Sequence, residues 1–220
     1  MTFLKDHWKD IQSPDVIEGV SLDAKAQGYI RPWNHDKANM DMLRKAIRIL
    51  RPTVVIELGT FEGLGTEIIA TEMSNCVPEK SVLWTFDAGK PTLSDWPEQV
   101  RDEIVEQWSH VEEARAERIN KIYDRVEIVY IEGLTKDTLP RCIQSLGYWN
   151  FCFQDSVHDF DNIMIEWKLL RECSSAGSVI VFDDIIMSHP FRDYFFHHEE
   201  LWDMRHTEIG RSQLWAERRI

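Results

Sequence analysis

The feature that most constrains the fold of this chain is a glycine-rich turn between a strand pattern and a helix pattern. The apolar, largely β-branched run 53–56 predicts a buried strand, and Glu57 follows it directly. The segment 57–66 is rich in glycine, and a helical pattern follows it. Glycine lets the backbone pass close to a ligand, and the free N–H groups at a helix start face a bound molecule. The segment 57–66 is therefore predicted to be a ligand-binding turn.

Strand patterns and helix patterns alternate along the rest of the chain. The strand patterns fall at 53–57, 81–86, 126–131, 148–154, 177–182, 204–209 and 212–217. The helix patterns fall at 36–50, 67–75, 98–123, 134–146, 160–171 and 191–202. This alternation predicts an α/β fold with a doubly wound, mostly parallel sheet and helices on both of its faces.

The length and composition favour one globular domain. At 220 residues with 43% hydrophobic residues, the chain is long enough to form a substantial core. Residues 1–35 are polar and broken by prolines and glycines, which predicts an N-terminal arm or lid with one short helix. Residues 36–220 are predicted to form the ligand-binding domain.

The net charge of −13 argues against a nucleic-acid substrate, because an acidic surface repels phosphate backbones. No apolar stretch approaches the roughly 20 residues that span a bilayer, and the N-terminus has no signal-peptide core. The four cysteines lack CxxC spacing and histidines at zinc-ligand intervals, which suits a reducing compartment. The sequence therefore predicts a cytoplasmic protein that acts on a small molecule and binds neither nucleic acid nor membrane.

Acidic residues follow the strand patterns of the predicted parallel sheet. They are Glu57, Asp87, Glu132, Asp155 and the pair Asp183 and Asp184. In a parallel sheet the carboxyl ends of the strands meet at one edge, and ligands bind beyond that edge. Aspartate is also a common helix N-cap, and capping explains any one of these residues alone. Their occurrence after every one of these strands favours a ligand site.

The spacing of the glycine turn, Glu-x-Gly-x-x-x-Gly, differs from the Gly-x-Gly-x-x-Gly of dinucleotide-binding folds. It resembles motif I of the class I S-adenosylmethionine-dependent methyltransferases. That resemblance implies a Rossmann-like sheet ending in an antiparallel hairpin, with S-adenosylmethionine as cofactor. Asp87 matches the family's ribose-binding position, where a carboxylate accepts two hydrogen bonds from a cis-diol. The residues that the resemblance assigns to the cofactor are Glu57, Gly59, Thr60, Gly63, Thr66, Asp87, Glu132 and Gly133.

Two later segments resemble the strand ends of metal-dependent small-molecule O-methyltransferases. They are 151–158, which contains Asp155, and 181–184, which ends in Asp183 and Asp184. Carboxylates that converge on one point repel one another unless a cation lies between them, and oxygen ligands favour Mg²⁺. The resemblance therefore implies a Mg²⁺ site formed by these three aspartates. A cap role for Asp183 at a helix or turn is the structural alternative.

His158 is the candidate general base, because imidazole titrates near neutral pH. Catechol-type enzymes place a lysine at this position. Sugar O-methyltransferases place an aspartate one residue earlier, where this chain has Val157. The chain departs from both patterns, so His158 is either the base or a loop histidine without a catalytic role.

Over residues 36–219 the pattern resembles the group that contains macrocin- and novobiocin-type sugar O-methyltransferases and cephalosporin hydroxylase-like proteins. The resemblance implies Mg²⁺-assisted methylation of a small-molecule hydroxyl. Two alternatives stay open: a metal-independent methyltransferase acting on a carboxyl or a nitrogen, and a non-catalytic protein that binds S-adenosylmethionine. The acceptor stays open, and so does a homo-oligomer, because the aromatic residues of the last helix pattern pack either in the core or against a second copy.

Overall fold

The structure, a computed structural model, describes residues 3–12, 36–89, 98, 101–207 and 213–219. The helices within these residues are α1 (Phe3–Gln12), α2 (Asp36–Leu50), α3 (Leu64–Cys76), α4 (Arg101–Ile119), α5 (Thr135–Leu146), α6 (Phe160–Glu172) and α7 (His189–His198). The strands are β1 (Val54–Leu58), β2 (Ser81–Asp87), β3 (Val126–Glu132), β4 (Trp149–Gln154), β5 (Ser174–Phe182), β6 (Trp202–Thr207) and β7 (Gln213–Arg218). A short 3-10 helix, Ile185–Ser188, precedes α7.

The described strands form one seven-stranded sheet in the order β3-β2-β1-β4-β5-β7-β6. All pairs from β3 to β5 are parallel, and β7 is antiparallel to both β5 and β6. This topology confirms the predicted doubly wound, mostly parallel sheet and its C-terminal antiparallel hairpin. The strand order switches between β1 and β4, so a crevice is expected beyond the carboxyl ends of these two strands.

The sheet separates two apolar cores, one on each face. In β1, Val55 lies in the first core and Ile56 in the second, because successive side chains of a strand point to opposite faces. The first core packs the sheet against α1, α2 and α3, and the second packs it against α5, α6 and α7. Helices therefore cover both faces, as predicted. Among the described residues, none of the helices combines the length and the apolar character that crossing a bilayer requires.

The first helix belongs to the core. Leu4 and Ile11 of α1 are fully buried. The backbone N–H groups of Phe3 and Leu4 both donate to the carboxylate of Glu217 in β7, and each donor–acceptor distance is 2.6 Å. A carboxylate at a helix N-terminus satisfies donors that have no partner within the helix and interacts favourably with the helix dipole. The rest of the predicted arm, 13–35, lies outside the described residues.

Helix α7 ends earlier than the sequence pattern predicts. The helical pattern covers 191–202, whereas α7 ends at His198 and β6 takes the last position of the pattern. The residue after the helix, Glu199, accepts hydrogen bonds from Trp167 Nε1 (2.8 Å) and Arg171 Nη1 (3.0 Å). These contacts to α6 fix the chain at the helix end, and they depend on tertiary structure that periodicity cannot reveal.

Candidate cofactor and metal site

The loops after β1, β3, β4 and β5 lie at the carboxyl edge of the sheet, each bonded to a neighbouring strand. The backbone hydrogen bonds between neighbouring strands continue beyond the strand ends into these loops. The donor–acceptor pairs are Gly59–Phe86 (2.8 Å), Asp155–Leu58 (2.8 Å), Asp183–Gln154 (2.9 Å) and Gly133–Asp87 (2.7 Å). Because these bonds fix the loops relative to the sheet, the acidic strand ends lie along one edge.

Gly59 and Gly63 shape the turn between β1 and α3. Gly59 has φ = +98° and Gly63 has φ = +81°, conformations that favour glycine. A Cβ on Gly59 would overlap the carbonyl oxygen of Asp155, so the turn also depends on close contact with the loop after β4. Gly63 occupies the N-cap position of α3 and brings no side chain to cap the helix. The N–H groups of the first turn of α3 are therefore suited to a ligand.

Glu57 lies behind this turn and is only 1% exposed. Its carboxylate accepts hydrogen bonds from the hydroxyls of Thr85 (2.5 Å) and Thr66, and the Thr85 hydroxyl also lies 2.5 Å from that of Thr60. A Cβ on Gly65 would overlap the same carboxylate. Burial raises the pKa of Glu57 to about 7, although the two hydroxyl donors oppose the shift. Glu57 is thus placed to fix the start of α3.

We predict that Glu57 makes the protein less stable as the pH rises. Its pKa is about 7 in the folded protein, above the ordinary value of 4.5, so the folded state holds a proton that the unfolded chain releases. The stabilisation is complete at a pH below the ordinary pKa, and it is lost as the pH rises through the pKa of the folded protein. The total loss in the free energy of unfolding is about 3 kcal/mol. Urea unfolding of the wild type and Glu57→Gln across this range measures the change. Parallel pH profiles of the two proteins would contradict the prediction.

Asp87, predicted as the ribose partner, ends β2 with its carboxylate at this edge. Its Oδ2 accepts a hydrogen bond from Phe61 N (2.6 Å), and its Oδ1 accepts from Gly89 N (2.9 Å) and from Arg115 Nη1 (2.8 Å). Arg115 belongs to α4 and forms a buried ion pair with Asp87. The sequence does not distinguish Arg115, because this residue lies among many charged residues on a helix pattern whose apolar side is sparse.

Helix α4 lies against the glycine turn. Arg118 Nη1 donates to the carbonyl of Glu62 (2.7 Å), and Arg118 Nε lies 3.3 Å from the carboxylate of Glu67. The ring of Phe61 packs edge-on against Trp108 of α4, with 5.9 Å between the ring centroids. Helix α4 is therefore one wall of the candidate cofactor site.

Glu132 and Gly133 extend the site from β2 to β3. Gly133 N donates to Asp87 O (2.7 Å), and a Cβ on Gly89 would lie 2.9 Å from Oε1 of Glu132. The residues predicted to hold the cofactor thus lie at the carboxyl ends of β1, β2 and β3, in the turn after β1, or in the first turn of α3.

Asp155, His158 and Asp184 form a cluster beyond the ends of β4 and β5. His158 Nε2 lies 3.6 Å from Asp155 Oδ1 and 3.8 Å from Asp184 Oδ2. One ligand atom of each residue lies within 4.8 Å of the others. Two carboxylate oxygens and an imidazole nitrogen at these distances are a donor set that suits a divalent metal ion.

Asp183 faces α2 and β7. Its Oδ1 accepts hydrogen bonds from Gln213 Nε2 (2.7 Å) and Asn39 Nδ2 (3.2 Å). Neighbouring residues at a strand end point to opposite sides, and Asp184 turns the chain with a left-handed φ of +47°. The structure therefore brings Asp155, His158 and Asp184 together, and Asp183 remains a predicted ligand whose carboxylate accepts hydrogen bonds from α2 and β7.

A buried carboxylate supports the loop that carries Asp155 and His158. Glu166 of α6 is 1% exposed, and burial raises its pKa above the ordinary range. Its carboxylate accepts hydrogen bonds, among the described residues, from Ser156 (2.7 Å), Asn162 (2.9 Å), Gln154 (3.1 Å) and Thr135. The sequence does not distinguish Glu166, because a glutamate in a helical pattern ordinarily predicts a solvated side chain.

We predict that Glu166→Gln lowers the free energy of unfolding by about 2 kcal/mol, because the new amide group would face donors instead of accepting from them. Glu172→Gln is the matched control, since Glu172 is exposed on the same helix, and we expect it to change stability by less than about 0.5 kcal/mol. Denaturant unfolding of both variants measures the difference. Equal stabilities would mean that the network around Glu166 contributes nothing.

Comparison with solved structures identifies the fold. The chain is similar to the methyltransferase PaMTH1 of Podospora anserina, solved with SAH (S-adenosylhomocysteine), at a TM-score of 0.60 and 13% identity over 99% of this chain and 88% of that one. It is similar to an O-methyltransferase of Bacillus cereus, solved with SAH, at a TM-score of 0.57 and 16% identity over 99% of this chain and 98% of that one. It is also similar to the O-methyltransferase TomG of Streptomyces achromogenes, which is involved in tomaymycin synthesis and was solved with SAM (S-adenosylmethionine). The TM-score is 0.52 and the identity 16%, over 83% of this chain and 80% of that one.

The fold is that of the class I SAM-dependent methyltransferases, as the resemblance in motif I implies. No family model and no curated protein matches the chain. Identities of 13% to 16% establish the fold alone, and one fold supports many reactions. The reaction therefore depends on the residues of the site and not on the fold alone.

Proposed function

We propose that this protein is a SAM-dependent methyltransferase that uses a divalent metal ion to methylate a hydroxyl of a small molecule. The observation that carries the proposal is the contact between the glycine turn and the loop that carries Asp155, a member of the cluster. Gly59 lies so close to the Asp155 backbone that no side chain fits between them. A cofactor held by the turn and an acceptor held by the cluster would therefore be neighbours.

The residues around the turn fit SAM. This cofactor, when bound, supplies an activated methyl group on a sulfonium. The first turn of α3, which follows Gly63, offers backbone N–H groups to the carboxylate of its amino-acid part. Asp87 offers a carboxylate to the hydroxyls of its ribose. The work of the protein is then to align the acceptor oxygen with the methyl group.

The cluster fits a divalent ion, whose chemistry would be to lower the pKa of an acceptor hydroxyl. Mg²⁺ prefers oxygen ligands, whereas an imidazole nitrogen also suits Mn²⁺, Fe²⁺ or Zn²⁺. We therefore propose that the ion is Mg²⁺, Mn²⁺, Fe²⁺ or Zn²⁺. His158 has two available roles: a third ligand through Nε2, or a general base if Asp155 and Asp184 alone hold the ion.

A small molecule is the proposed acceptor, because the net charge of −13 disfavours nucleic acid. Two side chains close to the cluster in the sequence are apolar and exposed: Val157, which precedes His158 (53%), and Met187, three residues after Asp184 (67%). Ligand sites are lined mainly by apolar side chains with a few polar groups. An acceptor with an apolar body beside its hydroxyl would suit this arrangement.

Transfer of a labelled methyl group from SAM to a panel of phenols, catechols and sugars tests the proposal. EDTA treatment should abolish transfer, and added Mg²⁺ or Mn²⁺ should restore it. A faster restored rate with Mn²⁺ would support His158 as a ligand. Transfer that survives EDTA would favour the metal-independent alternative with a carboxyl or nitrogen acceptor. Cofactor binding without any transfer would favour the non-catalytic alternative.

A further inference from the structure

The carboxylate that would receive the ribose diol is already engaged by a buried arginine. Arg115 Nη1 lies 2.8 Å from Asp87 Oδ1, and the two side chains are only 5% and 9% exposed. A charge-assisted hydrogen bond of this length is among the stronger polar contacts in proteins. Arg115 therefore holds the position where the proposed function places a ligand.

The hydrogen-bonding capacity of Asp87 is too small for all of its partners. An ionised carboxylate has about four acceptor sites. Among the described residues, Phe61 N, Gly89 N and Arg115 Nη1 use three of them. A cis-diol that donates twice needs two sites, so one present donor has to leave.

Arg115 is the donor that can leave. The N–H groups of Phe61 and Gly89 are backbone groups in the loops that follow β1 and β2, and their positions depend on the path of the chain. Arg115 is a side chain with rotatable bonds on a separate element. Its guanidinium also lies 5.4 Å from the centre of the Tyr130 ring, which offers a cation–π contact after release.

Helix α4 does not depend on Arg115 alone for its contact with the turn. Arg118 binds the carbonyl of Glu62 (2.7 Å) and lies 3.3 Å from Glu67. Release of Arg115 from Asp87 therefore leaves a second arginine that ties α4 to the glycine turn. The exchange at Asp87 requires a side-chain movement and no displacement of the helix.

We propose that Arg115 competes with the cofactor's ribose diol for Asp87 and thereby sets the cofactor affinity. In the cofactor-free protein Arg115 neutralises the buried carboxylate, and a ligand with an intact diol displaces it. This inference rests on the proposed function, because it takes Asp87 as the diol acceptor. Removal of Arg115 should therefore destabilise the free protein and tighten the binding of diol-containing ligands.

Calorimetric titration with SAH, which cannot be turned over, tests the competition. We expect Arg115→Gln to bind SAH roughly tenfold more tightly than the wild type, because no ion pair has to break. Arg118→Gln is the matched control: it removes an arginine from the same helix that does not touch Asp87, and it should not tighten binding. Arg115→Lys keeps a cation beside Asp87 in case Arg115→Gln does not fold, and its affinity should fall between those of the wild type and Arg115→Gln.

The 3′-deoxy analogue of SAH, which lacks one hydroxyl of the diol, shows whether the gain comes from Asp87. The tightening in Arg115→Gln should shrink to less than about twofold with this analogue, since one acceptor site of Asp87 then suffices. Equal or weaker binding of SAH by Arg115→Gln, or the same gain with both ligands, would overturn the competition while leaving the proposed function intact. If neither SAM nor SAH binds to the wild type or to any variant, the proposed function itself fails, and this inference fails with it.

Discussion

Replacing Gly59 by alanine is expected to lower the free energy of unfolding by at least about 3 kcal/mol and to abolish SAM binding. Two effects combine at this position. The backbone φ of +98° is one that a residue with a Cβ rarely adopts. The new Cβ would also overlap the carbonyl oxygen of Asp155, so either the glycine turn or the loop after β4 has to move. Both halves of the proposed site depend on that contact.

Gly177→Ala separates the two effects. Gly177 has φ = +83°, yet a Cβ there would meet nothing within 4 Å. The Gly177→Ala variant should therefore show only the backbone strain, which lowers the free energy of unfolding by about 1 kcal/mol, and it should bind SAM like the wild type. Urea unfolding and calorimetric titration of both variants measure the contrast. If Gly59→Ala costs no more stability than Gly177→Ala and still binds SAM, the packing between the turn and Asp155 is not important for the site.

Replacing Asp155 by alanine is expected to weaken divalent metal binding by on the order of 100-fold or more, since the loss of a ligand should exceed the loss of an outer-sphere partner. Asp155 lies with His158 and Asp184 in the cluster, and it provides one of the two carboxylates. SAM binding should change little, because the proposed cofactor residues lie on β1, β2, β3 and the start of α3. Titration with Mn²⁺ and, separately, with SAM measures both effects.

Asp183→Asn is the decisive comparison for the metal ligands. The structure gives the Asp183 carboxylate hydrogen bonds from Gln213 and Asn39, so this variant should lose stability while keeping most of its metal affinity. A loss of metal affinity as large as that of Asp155→Ala would instead support the three-aspartate site implied by the family resemblance. The two variants thus distinguish a set of metal ligands that includes His158 from a set made of aspartates alone.

The glycine turn was predictable because its signals are local. The strand pattern that ends at Glu57, the glycines that need positive φ and the helix pattern after them are neighbours in sequence. The structure places them as β1, a turn and α3, although α3 begins at Leu64, earlier than the pattern predicts. The parallel sheet and its final hairpin were likewise predictable from alternating patterns and the family resemblance. The sequence encodes each strand and helix locally, whereas the pairing of the strands joins distant parts of the chain, as between β1 and β4.

The site details that sequence analysis missed depend on distant contacts. Arg115 meets Asp87 across 28 positions of sequence, and nothing in the charged pattern of α4 shows which arginine turns inward. The grouping of Asp184 with Asp155 and His158, and the hydrogen bonds of Asp183 to Gln213 and Asn39, likewise depend on contacts between separate elements. A sequence pattern shows which residues lie near a strand end, but it does not show which way their side chains face.

Calorimetric titration of the purified protein with SAM, with a divalent metal ion present and again after EDTA treatment, shows whether the acidic edge of the sheet binds this cofactor. We expect micromolar binding in both conditions, because the residues proposed to hold the cofactor, the glycine turn, the start of α3 and Asp87, do not include the metal ligands. Absence of binding in both conditions would contradict the proposal that the acidic edge of this sheet is a SAM site.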